Sequence, residues 1–296
     1  MENAEKKQKN EMVCKSNALI DASFNLSLVE QRIMLMAIVE AREIQDLTPD
    51  TPIEIKASSY REQYNTDSSE AYKQLSEATK QLFNRQFSYI DKYKSDDAIT
   101  VSRWLNEATY INNKGTVVIY LNRNVISMIS RLEANFTKYL LEQVSDFKSQ
   151  YSIRLYELLI KYKDVGNSKK YTIEEIRSLL GIGVNEYKVL ADFKKRVLDL
   201  AVKEINDKTD TTIKYEQFKE AYEISRVGAD NYYRRKSTEN FLMHFPDKFS
   251  IRPGSATPTD PGFKNELQKP SCASIHTQLE LNYALRNILL TESGKG

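Results

Sequence analysis

Apolar and polar positions along this chain follow helical and strand periods in turn, and the switches between them mark its elements. Ser27-Leu28-Val29-Glu30 fits a capping box, with Ser27 accepting from first-turn amides and Glu30 reaching back, and predicts a helix start. The helix runs through Ile33-Met34-Leu35-Met36-Ala37-Ile38-Val39 to about Ile44. It is apolar nearly all round, the pattern of a helix buried inside a domain or dimer. A Met-bearing run also suits a ligand pocket or partner groove, but Met commonly fills gaps in cores, and core is the simpler account. Thr48 to Pro52 reads as a turn, Ile53 to Lys56 as a short strand and Ala57 to Gln63 as a helix. From Ser68 to about Asn84 a further helix buries Ala71, Leu75, Ala78 and Leu82 and leaves Lys73, Gln74, Glu77, Lys80 and Gln81 outside. Phe87 to Tyr93, Ile99 to Trp104, Glu107 to Ile111 and Thr116 to Leu121 read as strands, with Asn112-Asn113-Lys114-Gly115 turning the last hairpin. Helices followed by a hairpin sheet are the order of a winged helix.

A second helical run begins near Asn124, includes Phe136 to Val144, and continues in a helix from Gln150 to Lys163 closed by Gly166 and Asn167. Thr172 to Leu180 reads as another helix, ended by Gly181-Ile182-Gly183. Between Ala191 and Lys219 the pattern is clearest. At 100° per residue, Phe193, Val197, Leu200, Ala201 and Ile205 share one arc, and Lys195, Arg196, Asp199 and Lys203 share the opposite one. Past Asp207-Lys208-Thr209-Asp210, Ile213, Tyr215 and Gln217 alternate with Thr212, Lys214 and Glu216 as in a half-buried strand. A cation-bearing helix that turns into a hairpin strand is the plan of a winged helix whose second helix enters a DNA major groove. An ordinary solvated surface helix fits the same pattern.

The halves overlay at an offset of about 115 residues, Ala57 to Arg61 over Ile173 to Arg177 and Tyr72 to Leu75 over Tyr187 to Leu190. The order of elements repeats with the residues. The expected fold is therefore α+β, two tandem winged-helix domains related by internal duplication. A polar tail over 1–15 precedes domains at 16–123 and 124–245, and 246–296 is a poorly structured, Pro-rich tail in which Leu279 to Leu290 can form a terminal helix.

Composition narrows the function. With 41% hydrophobic residues among 296 and only 9 Gly and 7 Pro, the chain can bury real cores. Its net charge of +2, from 43 basic and 41 acidic residues, requires any nucleic-acid footprint to arise from local sorting of charge. Cys14 and Cys272 are the only cysteines, which excludes a disulfide framework and a Cys-rich zinc module. The charged N-terminus lacks an apolar secretory core and no stretch approaches a membrane span, so a cytoplasmic protein without a membrane partner is expected.

No catalytic, metal or cofactor residues are expected. His244 and His276, the only histidines, lie in the irregular C-terminal region and form no His-x-His pair of the kind a metal-dependent nicking enzyme needs. No phosphate loop of the G-x-x-x-x-G-K-[ST] type occurs, and Gly181-Ile182-Gly183 follows a helix and lacks the third glycine of a dinucleotide loop. Double-stranded DNA is the expected ligand. Its candidate contacts are Lys188, Lys194, Lys195, Arg196, Asp199, Lys203 and Lys214 in the second half, and Ser69, Lys73, Gln74 and Lys80 in the first. Arg can fork onto guanine, Gln onto adenine and Lys onto phosphate, while Asp199 suits orienting Arg196 or Lys203 or accepting from a cytosine amine.

Four stretches carry a family resemblance: Asn17 to Ile20, Asn25 to Arg32, Arg154 to Leu159, and Asp192 to Leu198 with Lys203 to Asn206. In this order they resemble the iteron-binding replication initiator proteins of theta-replicating plasmids, over roughly residues 13–219. The resemblance implies two winged-helix domains that bind direct repeats at an origin, help to open adjacent AT-rich DNA and recruit host replication proteins such as the replicative helicase or initiator. It also implies a homodimer in equilibrium with monomer, formed through the first domain, that represses its own gene at an inverted repeat. By position, Lys194, Lys195, Arg196 and Lys203 fall on the second domain's recognition helix and Ser69, Lys73 and Lys80 on the first's. The pattern departs after Lys219-Glu220, where Ala221 to Gly228 makes a poor return strand for a second wing and the role of Arg234, Arg235 and Lys236 is open. A transcriptional repressor with no replication role is the alternative function.

Overall fold

The computed structural model describes residues 11–66, 70–130, 132–164, 166–224 and 234–245. The chain enters through β1 (Met12–Ser16) and the one-turn helix α1 (Asn17–Ile20), then forms α2 (Leu28–Arg42) behind the expected capping box. Ser27 N donates to Glu30 Oε2 at 2.6 Å and Glu30 N to Ser27 Oγ at 3.3 Å, which satisfies two orphan amides. Ile33, Met34, Leu35, Ala37, Ile38 and Val39 are all buried, so α2 is the core helix its all-round apolarity predicts.

Strand β2 (Ile53–Lys56) leads to α3 (Ala57–Tyr64) and α4 (Ala71–Asn84). There Ala71, Leu75, Ala78 and Leu82 form the buried stripe. A hairpin of β3 (Gln86–Tyr93) and β4 (Asp96–Arg103) follows, then β5 (Leu105–Ile111) and β6 (Thr116–Leu121). β6 lies between β2 and β5 in an antiparallel sheet. Gly115, at φ 58°, closes the turn into β6 in a backbone conformation that an L side chain resists.

Next come α5 (Arg123–Ile129), β7 (Phe136–Leu140), the one-turn α6 (Glu142–Ser145) and α7 (Gln150–Ile160). Here two expectations fail together. Met12–Ser16 belongs to no polar tail and Phe136–Leu140 is not helical, because the two pair antiparallel with Val13 opposite Tyr139 and Lys15 opposite Thr137. Val13, Lys15, Thr137 and Tyr139 are all buried, and Phe-Thr-Lys-Tyr-Leu carries the aromatic, β-branched alternation of a strand.

The second half opens with β8 (Tyr171–Thr172) and α8 (Ile173–Leu179), whose capping box joins Thr172 to Glu175. A long helical segment follows as α9 (Leu190–Phe193), a π-helical turn (Lys194–Leu198) and α10 (Asp199–Lys208). It runs into β9 (Lys214–Ile224) and β10 (Arg234–His244). The doubtful second wing thus has a return strand. β10 pairs with β9 from Arg234 opposite Ile224 to His244 opposite Lys214, and with β8 through Phe241 opposite Tyr171, giving the order β8-β10-β9. Polar residues crowd β9 and weaken its alternation, so the ladder and the buried Phe241 and Met243 hold what its own pattern does not announce. The terminal tail, its expected helix at Leu279 to Leu290, and Ser69 lie outside the described residues.

Helix α7 joins the halves, with every residue from Tyr151 to Leu159 buried. Glu157 Oε1 accepts from Lys15 Nζ at 2.6 Å and from Tyr139 Oη at 2.6 Å, and Glu157 Oε2 accepts from Arg154 at 3.0 Å. Arg154 also donates to the carbonyls of Ile20 and Ala22 in the first half and of Leu179 at the end of α8. Gly181, at φ 70°, lies so near the first half that an added Cβ would come within 2.1 Å of the Phe24 carbonyl oxygen. Close approach of two backbones is therefore what this glycine supplies.

Burial alone would raise the Glu157 carboxyl, but the charges of Lys15 and Arg154 and the bonds from Lys15 and Tyr139 outweigh it and hold it below its ordinary 4.5. A lowered carboxylate contributes stability that is present above pH 4.5 and lost as pH falls through the lower folded value. Glu157→Gln is expected to cost about 3–5 kcal/mol at neutral pH by stranding two buried cations. It should also flatten the acid side of the stability profile, as urea unfolding at stepped pH measures. Gly181→Ala is expected to cost about 3 kcal/mol or more, since backbone clash adds to left-handed strain, and thermal unfolding reads this directly.

Candidate nucleic-acid interface

The helical segment Leu190 to Lys208 packs one face and exposes another. Phe193, Val197, Leu198, Ala201 and Ile205 are buried, whereas Lys195, Arg196, Asp199 and Lys203 are exposed as their arc predicts. Leu200 corrects the wheel. It is 44% exposed, and Leu198 takes the buried place expected for it. The π-helical turn is the reason, because each π turn takes in one residue more than an α turn and rotates all that follows.

Two side-chain bonds couple this segment to the wing. Lys194 Nζ donates to Gln217 Oε1 at 2.9 Å, and Tyr215 Oη donates to Asp199 Oδ1 at 2.6 Å. Asp199 therefore holds Tyr215, contrary to the expectation that it orients Arg196 or Lys203. Arg196 has Asp192 as its acidic neighbour instead, at 3.8 Å one helical turn earlier. Partial burial, then the Asp199 bond and charge, push the Tyr215 phenol up, which keeps it a donor. At the far end Asn206 grips the turn through both amide atoms, donating to Ile213 O at 3.0 Å and accepting from Ile213 N at 2.8 Å. Glu204 accepts from the backbone amides of Lys148 and Ser149, which anchors α10 to the start of α7.

Lys188 is exposed in the loop before α9, and Lys214 is exposed at the start of β9. In the first half Lys73 and Gln74 stand exposed on α4, while Lys80 sits 5.6 Å over the Tyr110 ring of β5. Tyr215 and Gln217 were not among the residues singled out for the site. Their alternation marked a strand, but nothing local marked the helix as their partner.

A family model described as "Initiator Replication protein, WH1" matches residues 12–160, and one described as "Initiator Rep protein, WH2" matches residues 172–227. The chain belongs to the initiator replication protein family. Two winged-helix domains carry this initiator, followed by its C-terminal tail. An uncharacterised 27.6 kDa protein of Escherichia coli is 26% identical over 212 residues, which cover 69% of this chain and 88% of that one. A "Replication initiation protein" of Escherichia coli is 24% identical over 181 residues, 60% of this chain but only 54% of the relative. Among solved structures, the Pi initiator protein in complex with iteron DNA matches with a TM-score of 0.57 at 21% identity, covering 80% of this chain and 97% of that one. This likeness is one of fold. Among the described residues, no helix is long and apolar enough to cross a membrane, and no group of His, Cys, Asp and Glu is placed to hold a metal ion.

Tyr215→Phe is expected to cost the initiator about 1 kcal/mol, the worth of one partly exposed hydrogen bond. Asp199→Ala should cost a similar amount, and the double variant no more than either, because both delete the same bond. Urea unfolding of the three variants checks the cycle.

Proposed function

We propose that this initiator recognises repeated elements of an origin as double-stranded DNA, with the segment Leu190 to Lys208 as its main reading helix. The observation that carries this is a helix backed by buried Phe193, Val197, Ala201 and Ile205, turning Lys195, Arg196 and Lys203 outward and bonded to its wing. The fold likeness to an initiator described in complex with iteron DNA supports the same reading.

In this proposal Lys195 and Lys203 anchor phosphates, Arg196 reads a guanine edge, and Lys188, Lys194 and Lys214 add to the field around them. Helix α4 supplies accessory contacts through Lys73, Gln74 and Lys80, and Ser69, just before it in sequence, adds to them. The two helices occupy successive major-groove faces about 34 Å apart, as paired helix-turn-helix units do. Binding, without catalysis, opens the neighbouring AT-rich DNA and recruits host replication proteins. A dimer formed through the first domain represses the initiator's own gene in the cytoplasm.

Footprinting of the purified chain on DNA upstream of its own gene, across a salt series, is the test. Protection of several regularly spaced direct repeats is expected, with affinity falling steeply in salt. Protection of one inverted repeat alone would favour a repressor, and no sequence preference would sink both readings. Arg196→Ala should cost about 1–3 kcal/mol and relax preference at one base pair, while Lys195→Ala should weaken all sequences alike and lower the salt slope by about 1.

A further inference from the structure

Leu200 is out of place for a surface residue. It is 44% exposed, with Arg196 and Lys203 as its exposed neighbours at one-turn spacings. On an uninterrupted α-helix it would sit with Phe193, Val197, Ala201 and Ile205. The π turn over Lys194–Leu198 gives Leu198 that inward place and swings Leu200 outward among the cations. Single-turn π-bulges of this sort are frequent at functional sites.

We infer that Leu200 is a specificity-determining residue that packs on the C5-methyl group of a thymine in the bound repeat. This rests on the proposal that the segment enters a major groove. The flanking Lys195, Arg196 and Lys203 select a polyanion as the occupant of this face, which argues against an apolar protein partner. Among base edges exposed in the major groove, the thymine methyl is the apolar group, and apolar side chains are its usual contacts. A cytosine in that place lacks the methyl group, and its N4 amine stands where thymine has O4, a polar edge that a leucine can bond in neither case, so the methyl alone separates the two bases. Asp199, one residue earlier, has Oδ1 engaged by Tyr215. Leu200 thereby distinguishes thymine from cytosine through the methyl contact.

The test needs no unfolded variant, because the methyl group can be removed from the DNA. Synthetic duplexes of the footprinted repeat, with each thymine replaced singly by deoxyuridine, are titrated with the full-length wild type and with Leu200→Ala by fluorescence anisotropy. At one thymine the wild type is expected to lose about fourfold in affinity, the ratio that burying one methyl-sized group is worth. Leu200→Ala should bind the parent repeat several-fold more weakly, with an unchanged thermal unfolding midpoint, and be indifferent to deoxyuridine at that position. Leu200→Met should retain the sensitivity. If no thymine is sensitive in the wild type, or Leu200→Ala keeps the same sensitivity while Arg196→Ala still loses base preference, the assignment of Leu200 is wrong and the reading helix stands. If Arg196→Ala and Lys195→Ala bind as the wild type does, the reading helix and Leu200 fall together.

Discussion

The Glu157 carboxylate is the one charge that both halves of this protein depend on. It is buried on α7 with Lys15 from β1, Tyr139 from β7 and Arg154 one turn before it. Two cations against one anion leave an excess of positive charge in a medium that solvates it poorly. Carbonyls at helix ends make up the difference. Arg154 donates to Ile20 at the end of α1 and to Leu179 at the end of α8, where last-turn carbonyls have no helical partner. One guanidinium thus closes a helix in each domain and seats on the Phe24 ring at 4.0 Å. Gly181 permits this, since only a residue without a Cβ lets the end of α8 approach the Phe24 backbone. Orientation of the second domain on the first follows from satisfying a buried charge, a geometric demand that hydrophobic packing alone would leave looser.

The same economy of partners shapes the reading helix. Its inward face needs apolar side chains at helical spacing, yet its outward face carries residues that no ideal wheel would group. A π turn reconciles the two by letting Leu198 in and Leu200 out. A register change of this sort leaves the end of the helix unsupported unless something else fixes it. Asn206 holds the turn into β9, Glu204 caps the start of α7, and Lys194 and Asp199 reach across to Gln217 and Tyr215. Helix and wing are consequently tied to each other at both ends of the segment.

What could be read from sequence divides along the range of the interactions. The capping box at Ser27, the stripe of α4, β2, the turn at Gly115 and the alternation opening β9 are set by neighbours a few residues apart, so periodicity and turn chemistry exposed them. Pairing of β1 with β7 joins segments more than a hundred residues apart, and each was misassigned because neither announces the other. The return strand β10 hid for a related reason, being completed by pairing with both β8 and β9. In the candidate interface, the exposure of Lys195, Arg196 and Lys203 was legible from the wheel. Leu200 and the Asp199–Tyr215 bond were not, since a wheel assumes one period and sees one helix at a time. The stretches that carried the family resemblance, Asn25 to Arg32 and Arg154 to Leu159, turn out to contain Glu30, Arg32, Arg154 and Glu157, all buried and bonded. Their signal was architectural.

A nearly balanced charge is compatible with a local positive field because along this segment Lys194, Lys195, Arg196, Lys203 and Lys208 outnumber Asp192, Asp199, Glu204 and Asp207, and three of those acids have partners within the chain. Asp199 is bonded to Tyr215, and Glu204 is taken by two backbone amides and by Lys208. Asp192 faces Arg196 at 3.8 Å, but both are more than half exposed, and such a pair is worth only about 0.3–0.5 kcal/mol. A phosphate or a guanine edge can displace it at little cost. Lys195 and Lys203 extend the positive side of the balance on the same face. Net charge is the wrong measure for such a surface. What a polyanion meets is how charge is sorted over the face it approaches, and on this face Lys195, Arg196 and Lys203 stand exposed together.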